Sequence, residues 1–464
     1  MRRHLRRRGI RTPRPIAARL LRVDRLPALS RPAYRWELLS SCFLPFAVSC
    51  VEPNLIGLVA RRVFDAPKFV IATLTAAPHL GFLSTFLTAR WLRGRERVHL
   101  LTWLQWTLVV CVFGIALAPT TAAGLTMLVV LTLIARCTTA GIVTARSDVW
   151  RNNYPRRVRA RAAGVFAICA GVIAACFGLA MGVAMDAFAE GAGPEAANVF
   201  RVMYIGAACL GVVGIQFYKR VRWRQRKRSM REERAHGSGT SLEAGRLLDV
   251  LRNDPTYRKF MFAQFVMGAP NLALSAPFIL ALDETLHATN TVAFALTTAI
   301  PFLMMIVATP IWARLLERTD IVRFRVVHAW TFFFASGLTA IGLLTVNLPI
   351  VFAARVMLGV GFAGGNLAWN LGHHDFAPRR LASLYMGIHV ALTGVRGITA
   401  PFIGVVLYAG WSVTIAGETL AWNGLQGWAF ALFAGLSAVG ALLFARLHFL
   451  IQSGRMTMRG REEE

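Results

Sequence analysis

WRNNYPRR (150–157) and WNLGHHDFAPRR (369–380) carry the same punctuation twice in a chain that is otherwise mostly apolar. In each, a Trp is followed within nine residues by Pro-Arg-Arg. Proline cannot continue a helix, and short arginine-bearing loops stay on one side of a bilayer, so each stretch reads as a turn between two apolar helices. The likeness extends outward. Arg136 lies 14 residues before Trp150, and Arg355 lies 14 before Trp369. PRRVRARAAG (155–164) aligns with PRRLASLYMG (378–387), and FAVSCVEPNL (46–55) aligns with FAQFVMGAPNL (262–272) after one insertion. LTARWLRGRERV (87–98) sits where PIWARLLERTDIV (310–322) sits. Matches that recur in the same order describe one design used twice.

Composition names the solvent of that design. Of 464 residues, 56% are apolar and only 16% charged, which excludes an ordinary soluble domain. About 20 apolar residues cross a bilayer, and twelve windows meet that need: 37–60, 68–89, 99–118, 124–145, 162–184, 200–217, 259–281, 291–313, 326–346, 348–371, 383–408 and 427–450. The net charge of +29 does not mark a nucleic-acid face, because the 52 Lys and Arg are spread over loops along the chain. Assigned to those loops, 45 fall on one side, Arg325 among them; Arg61, Arg62, Lys68 and Arg201 fall on the other. The positive-inside rule then puts both termini in the cytoplasm and makes the crossings even in number. The polar stretch 219–259 separates six spans from six. Its first part reads as a flexible linker, and SLEAGRLLDVLR as a short amphipathic helix. The expected units are a basic tail (1–36), a six-helix bundle (37–218), a linker (219–258), a second bundle (259–450) and a C-terminal tail (451–464).

Six plus six spans with cytoplasmic ends and a basic central loop resemble the major facilitator superfamily of secondary transporters, over residues 37–450. ARVMLGVGFAGG (354–365) is similar to that family's pattern of an Arg followed by spaced glycines. Pro155, Arg159 and Gly164 fit its turn after the fourth span, and GITAPFIG (397–404) is similar to its Gly-Pro pattern. The resemblance implies an all-α membrane protein of twelve transmembrane helices in two pseudo-symmetric bundles, working by alternating access. It also implies structural or gating roles for Pro155, Arg159 and Pro378. Where the family usually carries an Asp between its second and third helices, this chain has Trp91; the second copy has Glu317 and Arg318, the corresponding gating candidates.

Energy for transport does not come from ATP, since a phosphate loop needs Gly-Lys and the four lysines follow Pro, Tyr, Arg and Arg. No nucleophile or metal motif points to an enzyme, and no cofactor is expected. A gradient remains as the drive. Ionisable groups in a bilayer cost about 2.5–3.5 kcal/mol on insertion scales, so each is a functional hypothesis. Glu52, in SCVEPNLIG, is the proton-coupling candidate, opposed by a permanent ion pair with a membrane arginine; His79 is a relay, opposed by a neutral hydrogen-bonding role. Arg136 and Arg355 occupy equivalent places and read as structural ties, with anion binding as the alternative. Arg396 has no repeat partner and is the substrate-binding arginine; Gly394 and Gly397 beside it allow close approach. Asn54, Asn271, Asn366, Asn370 and Gln264 are the neutral groups offered to substrate, with helix–helix hydrogen bonding as the bland reading. His373, His374 and Asp375 read as a cytoplasmic turn, the seven Cys as buried packing, and WSVTIAGETLAWNGLQGW (411–428) as an interfacial loop.

The expectation is a proton-coupled transporter of a small anionic or zwitterionic solute, a monomer in a bacterial plasma membrane. Its partners are that solute, protons and membrane lipid including anionic headgroups, with no nucleic acid. A multidrug exporter, or a transporter-shaped sensor without flux, are the competing readings.

Overall fold

A computed structural model describes residues 26–92, 94–188, 194–235, 244–378, 381–415 and 418–458. Most of the basic N-terminal tail, the acidic C-terminal residues, and Arg379 and Arg380 of the second Pro-Arg-Arg lie outside them.

The first predicted span is built from three short helices, α1 (Arg31–Ser41), α2 (Pro45–Cys50) and α3 (Pro53–Phe64). Pro45 and Pro53 each open a helix, where a missing N–H costs nothing. Between α2 and α3 the chain becomes extended at Glu52 (φ −64°, ψ 131°), whose carboxylate accepts the N–H groups of Asn54 and Leu55 at 2.9 and 3.1 Å. Long helices follow: α4 (Lys68–Leu92), α5 (Arg97–Ala116), α6 (Ala122–Asn153), α7 (Arg156–Phe188) and α8 (Pro194–Tyr218). The expected linker holds two helices. One, α10 (Ala244–Asn253), is the amphipathic one; the other, α9 (Arg226–Ala235), lies in the part read as flexible.

The next span bends at Leu274, between α11 (Pro255–Ala273) and α12 (Ser275–Glu284). Then α13 (Asn290–Phe294) passes through a π-helical turn, Ala295–Ala299, into α14 (Ile300–Arg318). α15 (Ile321–Leu344), α16 (Leu348–Leu371), α17 (Ala382–Ala409) and α18 (Trp428–Gln452) complete the set. The stretch read as an interfacial loop instead folds back as an antiparallel hairpin, β1 (Trp411–Ile415) with β2 (Glu418–Trp422), pairing Trp411 with Trp422. The β-branched and aromatic residues of WSVTI and TLAW suit extended pairing.

Among the described residues, ten helical runs are long and apolar enough to cross a membrane. At the remaining two predicted spans stand the broken α1–α3 run and the 25-residue α4, which carries Lys68, Pro78 and His79. Lipid is as apolar as leucine, so these helices gain little from hiding apolar faces from one another. Val110, Phe113, Val307, Ile311 and Phe449 accordingly stay exposed on the outer surface. Cysteine follows the same logic: Cys50 and Cys111 are buried as expected, whereas Cys42, Cys176 and Cys209 are exposed.

Within the N-terminal helices, α6 packs on α4 and α5, and α5 on α8; within the C-terminal helices, α15 packs on α16 and α18, α14 on α16, and α11 on α17 and α18. The sets are joined chiefly by α4 with α17, by α7 with α13, the π-helical turn and α14, and by α12 with α3 and α4.

The two ends of the molecule are fastened differently. At the end bearing the Pro-Arg turns, Arg159 closes its own turn by donating to the carbonyls of Tyr154 and Arg151 at 3.2 and 3.0 Å. Asp375 accepts the N–H of Ile321 at 2.8 Å, so His373 to Asp375 form a turn on α15. At the opposite end, three of the four cations assigned there bridge the two sets. Arg61 and Arg62 meet Asp283 at 3.0 and 3.2 Å, and Lys68 donates to the carbonyls of Ala409 and Gly410 at 3.2 and 2.8 Å. Asp186 accepts the N–H groups of Asn290 and Thr291 at 2.9 and 2.7 Å.

Candidate functional site

A cavity of 400 Å³ lies among α4, α11, α15, α16 and α17, within the range of small-molecule sites. Four of the sequence candidates line it: Arg396 from α17, Gln264 and Asn271 from α11, and Asn366 from α16. Phe82, Phe332, Phe362 and Trp369 supply aromatic wall. Phe82 is the single lining residue from the N-terminal helices.

Arg396 is held by the chain around it. It is 6% exposed, and its Nη1 donates to the carbonyl of Gln264. Gly268 makes the room: a Cβ there would stand 2.2 Å from Nη1 and 2.5 Å from Cζ. Gly397 serves the packing of α17 on α4, since its Cβ would fall 2.0 Å from the His79 ring. The close approach expected at Gly394 and Gly397 is thus filled by Leu83 and His79 side chains, not by bare backbone.

The second cation of the cavity is Arg325, which the sequence reading assigned to the basic loop between spans. It is 1% exposed on α15, because the helix begins at Ile321 and Arg325 turns inward one turn later. Its Nη1 lies 3.1 Å from Nδ1 of His328, whose Nε2 lies 2.8 Å from the carbonyl of Gly361. A carbonyl accepts only, so Nε2 carries the proton, Nδ1 accepts from the guanidinium, and His328 is neutral. His389, fully buried, has no hydrogen-bond partner at either ring nitrogen and packs edge-on to Trp369 at 5.8 Å. Spacing could have marked these groups: His389 precedes Arg396 by seven residues, and Arg325 precedes Phe332 by seven, two helical turns on one face.

No carboxylate lies within 4 Å of Arg325 or Arg396 among the described residues, and the charge of Arg396 reaches Arg325. The Nε atoms of both, Oε1 of Gln264 and Oδ1 of Asn271 are buried without a partner. Buried polar atoms left unpaired are costly. The cavity therefore presents two unmatched cations and two amide oxygens, a set that favours a negatively charged ligand able also to donate hydrogen bonds.

The other candidates lie elsewhere. Asn54 donates to the carbonyl of Thr297, 3.3 Å away in the π-helical turn, joining α3 to the C-terminal helices. Asn370 is exposed and donates to the backbone and side chain of Asn366, one turn away as the spacing predicts. Glu52 caps α3, with Arg136 as the cation whose charge reaches it. His79 packs against Gly397 and lies within reach of the charges of Arg396 and Arg136, and its Nδ1 has no partner. Arg355 is 3% exposed, donates to Thr339 at 3.2 Å and lies 3.4 Å over the Phe278 ring, so it ties α16 to α15 and α12. Glu317 and Arg318 are exposed at the end of α14. Pro155 begins the turn before α7, and Pro378 accepts the N–H of Leu381 at 2.8 Å. Arg95 lies 4.7 Å over the ring of Trp91.

Glu37 is an acid that the sequence reading passed over. It is 1% exposed and accepts hydrogen bonds from Trp150 Nε1 and, at 2.9 Å, from the Tyr154 hydroxyl, with Arg146 at 3.9 Å. The Trp of the first Pro-Arg-Arg stretch thereby anchors α1 to α6.

Known structures share this arrangement. A mutant form of the nucleoside transporter NupG matches with a TM-score of 0.64 at 14% identity, over 89% of this chain and 99% of that one. The xylose transporter XylE from E. coli, in a partially occluded inward-open conformation, matches with a TM-score of 0.65 at 10% identity, over 90% and 98%. A POT family transporter in complex with a thioalcohol-conjugated peptide gives 0.64 at 11% identity, over 93% and 99%. At such identities the likeness is one of fold. Among curated proteins no match was found. The family model described as Major Facilitator Superfamily matches residues 38–328, more than half of the sequence. With its apolar helices, transporter fold and matched family model, the chain belongs to the Major Facilitator Superfamily.

Proposed function

We propose that the chain moves a small organic anion, or a zwitterion bearing a carboxylate, across the membrane by alternating access. The observation that carries this is the pair Arg325 and Arg396, buried in one cavity without a carboxylate within 4 Å among the described residues. An anion entering between them removes the cost of two uncompensated buried charges, which is a large differential affinity over a neutral solute. Residues 37–218 and 259–450 act as the two moving units, with 219–258 joining them, and the Pro-Arg turns face the cytoplasm. The bridges of Arg61, Arg62, Lys68 and Asp186 then close the outer side, and the cavity belongs to the inward-facing state.

Proton coupling is the drive this reading assigns. The charge of Arg136 reaches both Glu52 and His79, and that of Arg396 reaches His79, so in this reading a proton on Glu52 is coupled to the cavity by way of Arg136 and His79. A structure of a D-xylose–proton symporter shares the fold at a TM-score of 0.64 and 13% identity, and a POT family transporter of the same fold was solved with 5-aminolevulinic acid. Both support the reading by analogy of fold.

The test is counterflow in proteoliposomes with a panel of carboxylated, zwitterionic and neutral solutes. Exchange limited to carboxylated solutes, lost in Arg325→Gln and Arg396→Gln, is the expected result; binding without exchange would favour a sensor. Glu52→Gln should abolish uptake driven by a pH gradient and leave exchange intact. Equal loss of both removes Glu52 from proton coupling.

A further inference from the structure

A second cavity, of 890 Å³, lies on the outside of the helical body, between the first turns of α5 and the segment that follows α8. It belongs to neither the central cavity nor the bridges at the far end. Three cations line it, Lys219, Arg222 and Arg226, and all three are exposed. Glu96 is the single acid among its lining residues, and its carboxylate is turned to the backbone N–H of His99 at 3.1 Å. The wall therefore carries a net positive charge.

Donors are also found among its other polar side chains. Trp223 is 7% exposed, lines the cavity, and its indole N–H is buried without a hydrogen-bond partner. A donor buried and unpaired beside a cavity wall is costly, and a small turn of the ring would offer it to an acceptor within the cavity. Trp103 donates its Nε1–H to Nε2 of His99 at 2.9 Å. That nitrogen acts as the acceptor, so the proton of His99 sits on Nδ1 and is a further donor.

The cavity opens onto a lipid-facing surface. Lys219 Nζ lies 5.5 Å over the ring of Trp106, and Trp103 is 61% exposed. From Trp103 the outer face of α5 continues past Thr107, whose hydroxyl donates to the Trp103 carbonyl at 3.1 Å, to the exposed Val110, Phe113 and Leu117. Cations and Trp rings above an apolar helix face match the order of headgroup and acyl chain in a bilayer. A free phosphate ion would use the cations and leave that face idle.

We propose that this cavity binds an anionic glycerophospholipid. Lys219, Arg222, Arg226 and the Trp223 indole N–H hold the phosphodiester, and one acyl chain runs along α5 past Val110 and Phe113.

The test is native mass spectrometry of the detergent-solubilised full chain, titrated separately with phosphatidylglycerol, phosphatidylethanolamine and phosphatidylcholine of identical acyl chains, and with inorganic phosphate. One phosphatidylglycerol should bind in preference to the other lipids and survive gas-phase activation. The triple variant Lys219→Gln, Arg222→Gln, Arg226→Gln should lower its affinity about a hundredfold, at about 1 kcal/mol per cation near a membrane surface. A control triple of exposed cations from the same end, Arg314→Gln, Arg323→Gln and Arg455→Gln, should leave it unchanged. Trp223→Phe, which keeps the ring and removes the donor, should weaken binding several-fold. Equal retention of phosphatidylcholine, equal loss in the control triple, or protection by inorganic phosphate alone would each overturn the assignment.

Discussion

Opening of the end that carries Arg61, Arg62 and Lys68 should be governed in large part by the bridges made there by Asp283, Lys68 and Asp186, beside the donation of Arg62 to the Ala288 carbonyl at 2.7 Å and the approach of Arg61 to Glu284 at 3.8 Å. Asp283 meets both Arg61 and Arg62, with side chains 21–29% exposed. Pairs of that exposure contribute about 0.2–1 kcal/mol each after solvent screening. Lys68 donates to the last carbonyls of α17, a cation at a helix C-terminus, at about 0.3–1 kcal/mol. Asp186 caps α13 through two N–H groups, and caps of this kind contribute about 1 kcal/mol. The bridges are separate, so their effects should add, to about 3 kcal/mol. Asp186→Ala alone should shift the closed-to-open ratio about fivefold; Asp186→Ala with Lys68→Ala and Asp283→Asn should shift it about a hundredfold. Spin labels at Thr120→Cys and Val346→Cys, in a chain freed of its seven native cysteines and held in nanodiscs, read the separation of the two sets at that end. A longer distance should grow from a minor to a comparable population in the triple variant. An unchanged distance distribution in the triple variant would refute the bridges as what holds this end shut.

Gly268→Ala should push the Arg396 guanidinium back by about 1 Å, to ordinary contact distance, and weaken its bond to Gln264; affinity for carboxylated solutes, read by ligand-dependent thermal stabilisation, should fall about 10–100-fold with the unliganded melting temperature nearly unchanged. Glu37→Ala leaves the Trp150 and Tyr154 donors without their acceptor, and should destabilise the solubilised protein by about 2–4 kcal/mol in denaturant unfolding; Glu37→Gln, which keeps one acceptor oxygen, should cost less. His373, in the turn between α16 and α17, is held down to about 4 by burial and by its neighbour His374. The unfolded chain therefore takes up a proton that the folded turn refuses, and stability should fall as pH drops from about 6.5 towards 4; His373→Gln should flatten that limb of a melting-temperature profile against pH, and an unaltered slope would assign it to another group.

Much of this protein is a matter of local composition, and local composition is what a sequence displays. A run of apolar residues long enough for a bilayer, an arginine that must stay at a surface, and a proline that must end a helix act without reference to distant chain. The membrane character, the Pro-Arg turns, the helix α10 and the placing of Arg61, Arg62 and Lys68 away from the basic end were legible for that reason. Arg325 shows where the same reasoning stops: charge counting assigns it to a loop, yet its helix begins four residues earlier and rotates it inward. That rotation is set by how α15 packs on α16 and α18. Asn54 and Asn271 align in the repeat, yet Asn271 faces the central cavity with a free oxygen while Asn54 bonds to the carbonyl of Thr297 across to the other helices. The repeat makes the two positions equivalent in one dimension. Packing of the two sets makes them different in three, because Asn54 meets the π-helical turn of the other set while Asn271 faces the space left among α4, α11, α15, α16 and α17. Which polar residues share a site was therefore decided by tertiary packing alone.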